Sequence, residues 1–289
     1  MNSDQNINIK YSQNFLKSSE LVRNILIRKT SIGKNDVVID IGVGRGLITK
    51  ELAQVARKVI GYEMDSSLTR DLDMGVLSEK VAIVNENFQK VDLKSLGKIK
   101  VFANIPFFIT ADIVRQITLD NDNVIEAYLI MEKQAAWRFL GLPFKANSIL
   151  SILIQSQYRL EIIHNFRPTD FAPVPKADIV MLSLIKSDTN IDYKLLYYDF
   201  VSFIFNERKD KIKNSLLSVF SYIQIKKQAK ILCFNISDKV SDLTCEQWQR
   251  MYMFFLTQPR EKQLVVVGAY KKLMRHQQKL NTKTIFSLY

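Results

Sequence analysis

The chain has 289 residues, 47% of them hydrophobic, and a formal net charge of +12 at pH 7. Its length admits one large domain or two moderate ones with a sizeable core, and its charge points to a polyanionic partner, nucleic acid or an anionic surface. Two cysteines (Cys233, Cys245) and two distant histidines (His164, His276) provide no metal site or disulfide framework, which suits a reducing cytoplasm. No apolar signal core opens the chain and no run is long enough to span a bilayer, so no membrane partner is expected.

In chain order, residues 1–9 read as a loose polar segment, followed by amides Gln13 and Asn14 beside Phe15-Leu16. Ser18 or Ser19 caps a predicted helix to about Arg28, with Leu21, Val22, Ile25 and Leu26 on one face. Val37–Ile41 is a predicted buried strand running into Gly42-Val-Gly-Arg-Gly46 and then a helix. Strand, glycine turn and helix form the context in which a glycine loop approaches a ligand, here spaced GxGxG and not GxGxxG. Asp40 precedes the turn and suits a cationic amino group. Glu63 follows the second strand, Lys58–Tyr62, at the distance expected of an acid that binds ribose hydroxyls. A third strand, Val81–Val84, leads to Asn87, which reads equally as an adenine-edge contact or a turn residue.

The fourth strand, Val101-Phe102-Ala103, ends in Asn104-Ile105-Pro106-Phe107. Pro106 cannot donate to a ladder, so the strand stops there, at the carboxyl end where open α/β sheets bind ligands. Asn104 offers an acceptor and a donor, and Phe107 a face for a base to stack on. Taken alone, the tetrapeptide is more simply a strand end with a core Phe. Predicted elements continue as a helix over Ala111–Leu119, a strand over Ala127–Met131, and a helix over Glu132–Phe139 carrying Lys133 and Arg138. A strand or helix over Ile149–Gln157, the extended Phe171-Ala-Pro-Val-Pro-Lys176 and an antiparallel strand over Ile179–Ile185 follow. This alternation predicts an α/β fold with a mostly parallel, doubly wound sheet over residues 1–186. Helices over about Tyr193–Asn206, Lys211–Ser221, Ile223–Leu232 and Cys245–Leu256 predict a smaller helical domain over 187–256. The basic extension 257–289 carries Arg260, Lys262, Lys271, Lys272, Arg275, Lys279 and Lys283 against Glu261. It reads evenly as a solvated face or a phosphate-binding segment.

Ser12-Gln-Asn-Phe-Leu16, Asp40-Ile-Gly-Val-Gly-Arg-Gly46, Glu63-Met-Asp65, Asn104-Ile-Pro-Phe107 and Phe171-Ala-Pro-Val-Pro-Lys176 together resemble the rRNA adenine N6-methyltransferases, over residues 10–256. Asn-Ile-Pro-aromatic resembles the erythromycin-resistance (Erm) branch. The small-subunit dimethyltransferases usually carry Asn-Leu-Pro-Tyr-Asn, and Phe108 stands here in place of that last Asn. The resemblance implies a Rossmann-like class I methyltransferase sheet and S-adenosyl-L-methionine as cofactor. It implies cofactor contacts from Asn14, Leu16, Asp40, Gly42, Gly44, Glu63, Asn87 and Asn104, with Asn87 where the family usually has Asp. It implies catalysis by Asn104, Ile105, Pro106 and Phe107, and substrate contacts from Phe107, Phe171, Lys133 and Arg138, with no metal. The branch implies methylation, extended to dimethylation, of one adenine in naked or partly assembled 23S rRNA by a cytoplasmic monomer, giving resistance to macrolides, lincosamides and streptogramin B. The alternatives are a housekeeping small-subunit rRNA dimethyltransferase and a non-catalytic nucleic-acid-binding factor on the same fold. The intact tetrapeptide and glycine loop argue against the latter.

Overall fold

The computed structural model describes residues 14–70, 72–105, 109–188, 191–206 and 211–286, and from 278 to 286 the backbone alone. The described residues form two compact units. One comprises those up to Phe139 together with Tyr158–Ser187. The other comprises Leu140–Gln157 and those from Asp188 onward.

The first unit begins with a two-residue strand, β1 (Phe15–Leu16), and helix α1 (Ser19–Lys29). The Ser18 side chain accepts a bond from the Leu21 amide, Glu20 lies in the first turn and Arg28 and Lys29 in the last, so cap and charges agree with the helix dipole. Val22, Ile25 and Leu26 form its buried face. Then come β2 (Val37–Ile41), α2 (Leu47–Val55), β3 (Lys58–Tyr62), a single turn α3 (Ser66–Thr69), β4 (Val81–Val84), β5 (Ile99–Asn104), α4 (Thr110–Thr118), β6 (Val124–Glu132) and α5 (Lys133–Leu140). The sheet order is β4-β3-β2-β5-β6-β9-β7, where β7 is Tyr158–Asn165 and β9 is Ile179–Lys186. The first five strands are parallel; β9 is antiparallel to both β6 and β7. The sheet order is that of a class I methyltransferase, as expected from the motifs. Lys100, inside β5, is buried because four acceptors receive its ammonium: the Ser31 carbonyl at 2.9 Å and hydroxyl at 2.5 Å, and Asp36 and Glu126 at 3.2 Å each.

Of the two states left open for 149–157 the structure has the helix, α6 (Ile149–Gln155). An apolar run buried on all sides reads alike in either state, and the reciprocal Ser148–Ser151 capping box decides for the helix. Strand β7 had no sequence counterpart, because its faces mix Arg159, Glu161 and His164 with apolar residues and it pairs on one side only, with β9. The segment 140–157 belongs with the helical unit, which a single boundary at 186 does not anticipate.

The second unit contains α6, α7 (Lys194–Asn206), α8 (Ile212–Leu216), α9 (Tyr222–Leu232), α10 (Cys245–Leu256), α11 (Arg260–Leu264) and α12 (Ala269–Phe286). Helix α8 is shorter than expected. Thr244 and Gln247 box the start of α10, whose Trp248, Met251, Tyr252 and Phe255 are buried at i, i+3, i+4 and i+7. Phe200 of α7 packs on Phe255 at 4.6 Å and Trp248 at 6.0 Å between ring centres. Residues beyond 256 share this core, with Val266 fully buried. No helix among the described residues is long and apolar enough to cross a membrane.

Candidate active site

At the carboxyl ends of β2, β3 and β5 the first unit encloses a cavity of about 870 Å³, large enough for a nucleoside cofactor. Its wall includes Phe15, Leu16, Gly42, Arg45, Asp65 and Asn104. The glycine loop forms one side. Gly42, Gly44 and Gly46 have φ of +82°, +55° and +76°, the left-handed region open to glycine at little cost. At Gly44 space matters as well, since a Cβ would lie 2.8 Å from the Phe15 ring.

Glu63, 5% exposed, fixes this loop. One carboxylate oxygen accepts from the Gly44 amide at 2.9 Å and the other from the Asp65 amide at 2.9 Å. The same carboxylate has further lone pairs for hydroxyl donors. Asp40 is fully buried. Its Oδ2 accepts from the Thr49 hydroxyl at 2.6 Å, while Oδ1 has no protein partner. Burial pushes its carboxyl up to about 7; the Thr49 bond opposes this and the Glu63 charge adds to it. An orphaned buried acceptor beside a glycine cradle fits a ligand with an amino group, so the residues present fit S-adenosylmethionine.

The raised Asp40 value gives a signed pH dependence. The carboxyl is neutral and harmless below its unfolded value of 3.8, and its contribution to stability is lost as pH rises through about 7. The melting temperature of the ligand-free protein should therefore fall between about pH 4 and 7 and level off above, and Asp40→Asn should flatten that slope. A calorimetric pH series checks this, and an equal slope in the variant refutes the assignment.

Asn104 ends β5 on the cavity wall. Its Nδ2 donates to the Asn14 carbonyl at 2.8 Å. A carbonyl only accepts, so this contact fixes which end of the amide is which and leaves Oδ1 as the acceptor for a second donor. Ile105, 1% exposed, donates its amide to the Ile130 carbonyl at 3.1 Å, holding the backbone at the end of the sheet. Pro106 and Phe107 lie outside the described residues.

Other expected site residues are placed elsewhere. Phe171 is 1% exposed and packs edge-on against Phe166 at 5.4 Å, so its ring is core and presents no face to a base. Its backbone matters more. The strand β8 (Phe171–Ala172) pairs with β1, Leu16 opposite Phe171, which brings Phe15, Leu16, Ala172 and Pro173 to the cavity wall. The Asn87 Oδ1 accepts from the Gln89 amide at 3.0 Å, capping the turn at Phe88–Lys90. An Asp there would form the same cap, and Asn87 is not on the wall of this cavity. Nor are Lys133, whose ammonium sits 5.3 Å over the Trp137 ring, and Arg138, which is exposed. Arg45, inside the glycine-loop motif but given no role by it, lies 5.7 Å over the Phe15 ring, and no motif marks the wall residues Lys17 and Leu68.

The family model for ribosomal RNA adenine dimethylases matches residues 4–256. The chain is 27% identical over 247 residues to the ribosomal RNA small subunit methyltransferase A of Mycoplasmopsis pulmonis, covering 84% of this chain and 97% of that protein. It is 33% identical over 217 residues to the probable ribosomal RNA small subunit methyltransferase A of Methanococcus aeolicus, covering 73% and 78%. The crystal structure of the 23S rRNA methyltransferase ErmE has the same fold, with a TM-score of 0.74 at 23% identity over 85% of this chain and 100% of that one. A glycine-loop cavity with a buried acid and an oriented Asn at the end of β5, together with a match over nearly the whole described chain, leads to one conclusion: the protein belongs to the ribosomal RNA adenine dimethylase family and is an S-adenosylmethionine-dependent rRNA adenine N6-methyltransferase.

Proposed function

We propose that this enzyme dimethylates N6 of adenine in small-subunit rRNA, in the cytoplasm. The observation that carries the reaction is the oriented Asn104 amide at the cavity wall. The exocyclic nitrogen of adenine is a weak nucleophile because its lone pair is delocalised into the ring. Asn104 Oδ1 and the Ile105 carbonyl accept its two N–H bonds and favour a tetrahedral nitrogen with a localised lone pair. S-adenosylmethionine supplies an electrophilic methyl on a sulfonium. No prior base is needed, because the nitrogen becomes acidic as it is alkylated and water takes the proton. Phe107 stacks on the extruded base. The glycine loop, Glu63, Asp40, Asn14 and Leu16 hold the cofactor.

The choice of subunit is supported by the relatives above, both named for the small subunit. One feature of the sequence favours a second reading: Asn104-Ile-Pro-Phe-Phe108 lacks the Asn usual in the small-subunit motif and resembles the resistance branch acting on large-subunit rRNA. Two N6 methyl groups remove both donors of that amine and stop a reverse transcriptase. Primer extension on rRNA from cells with and without the gene should give a gene-dependent stop in small-subunit rRNA. A stop in large-subunit rRNA accompanied by macrolide resistance establishes the second reading instead.

A further inference from the structure

Residues 257–289 hold seven Lys or Arg against one Glu, which is +6 of the formal +12, and they lie beyond the family match at 256. They are built onto the helical unit. The Asp199 carboxylate, on α7, accepts from the Gly268 and Tyr270 amides at 2.9 Å each. It thereby caps the N-terminus of α12 with both oxygens, where the helix dipole favours an anion. Gly268 reaches this contact with φ of +84°, a conformation that favours glycine. The Tyr270 ring packs on Tyr198 of α7 at 5.1 Å, and Leu273 and Met274 are half-buried on the same side. The opposite side carries Lys271, Lys272, Arg275 and His276, all exposed. The four-residue spacing from Lys271 to Arg275 continues in the sequence at Lys279 and Lys283.

We propose that α12 is a docked phosphate-binding arm, which holds the sugar–phosphate backbone of the rRNA substrate along Lys271, Lys272 and Arg275. Two features distinguish it from a merely solvated basic helix. Over its described side chains, up to Gln277, the apolar side of Tyr270, Leu273 and Met274 is turned to α7 and not left free as in a helix that lies on a membrane. It is also fixed at its start by a side chain of another helix, so less ordering is left to occur when RNA binds. Phosphate contacts of this kind give affinity and register without base specificity. The inference rests on the rRNA substrate and adds a contact surface outside the residues matched by the family.

The test uses the full chain, a fluorescein-labelled RNA duplex, and deproteinised small- and large-subunit rRNA as methyl acceptors. In the triple variant Lys271→Gln, Lys272→Gln, Arg275→Gln the slope of log affinity against log salt should fall by about 2–3, and the RNA Kd should rise roughly tenfold or more. KM for rRNA should rise with kcat at saturating RNA unchanged. Asp199→Ala adds a net positive charge, so unspecific attraction would tighten binding; release of the arm should weaken it instead. Asp199→Asn changes the net charge as Asp199→Ala does but keeps one of the two capping acceptors, so its affinity should lie between those of Asp199→Ala and wild type, which separates docking from charge. Unchanged Kd and salt slope in the triple variant, while wild type methylates rRNA, overturn the arm alone. Loss of binding to phosphatidylglycerol vesicles with RNA affinity unchanged overturns it in favour of a membrane surface. A wild-type protein that methylates neither rRNA overturns both the arm and the function it rests on.

Discussion

Asn104→Ala should lower methyl transfer to rRNA roughly 100- to 1,000-fold at saturating substrates, the usual consequence of removing one preorganised polar group from a transition state. The variant removes the Oδ1 acceptor, together with the Nδ2 bond that ties the end of β5 to the Asn14 carbonyl. Asn104→Asp separates these two losses. A carboxylate still accepts from the adenine amine, but it cannot donate to Asn14 and faces that carbonyl with like charge. If orientation by Asn14 matters, Asp is nearly as poor as Ala. If acceptance alone matters, Asp retains most activity. In both variants far-UV circular dichroism and melting temperature should stay near wild type, since Asn104 sits at the strand terminus and makes no core contact that Ala would leave hollow. A single-turnover rate equal to wild type in Asn104→Ala would dispose of the proposed mechanism.

The second large effect concerns the cofactor. Glu63→Gln keeps size and shape but replaces one of two acceptor oxygens with a donor. Either the Gly44 amide or the Asp65 amide, each now bonded to its own oxygen at 2.9 Å, would then face an NH2 group. An unsatisfied buried donor costs about 1–3 kcal/mol, so the Kd for S-adenosylmethionine should rise roughly 5- to 150-fold, readable by titration calorimetry. At saturating cofactor kcat should recover to near wild type, because Glu63 positions the loop and does not touch the adenine amine. A cofactor affinity that does not change would mean that the loop holds its left-handed glycines without this anchor.

Much of this site could be read from residue types and spacing. Three glycines after an apolar strand demand a tight backbone turn, an acid at the end of the next strand suits ribose hydroxyls, and Pro106 limits the strand before it to an end that a ligand can reach. These are local constraints, each set by a few consecutive residues. The direction of side chains is less local. The resemblance places Phe171 near the target base, whereas its ring packs in the core against Phe166. Asn87 reads equally as an adenine-edge contact or a turn residue, and its side-chain carbonyl caps the next turn. Lys133 lies over Trp137, away from the cavity wall. In all three cases a neighbour decided which way the side chain is used.

The parallel order of strands and helices, the glycine loop, the two acids beside it and the Asn-Ile-Pro-Phe terminus are legible in consecutive residues, because periodicity and backbone restriction act over short distances. The remaining features depend on contacts between distant parts of the chain. Pairing of β1 with β8, across about 155 residues, brings Phe15 and Leu16 to the cavity wall. The Asn14 carbonyl, 90 residues from Asn104, selects the end of the amide that accepts. Asp199 draws Gly268 and the basic helix onto α7 from 69 residues away. Hydrogen bonds of this range have no period in the chain, and they set the direction in which the functional groups point.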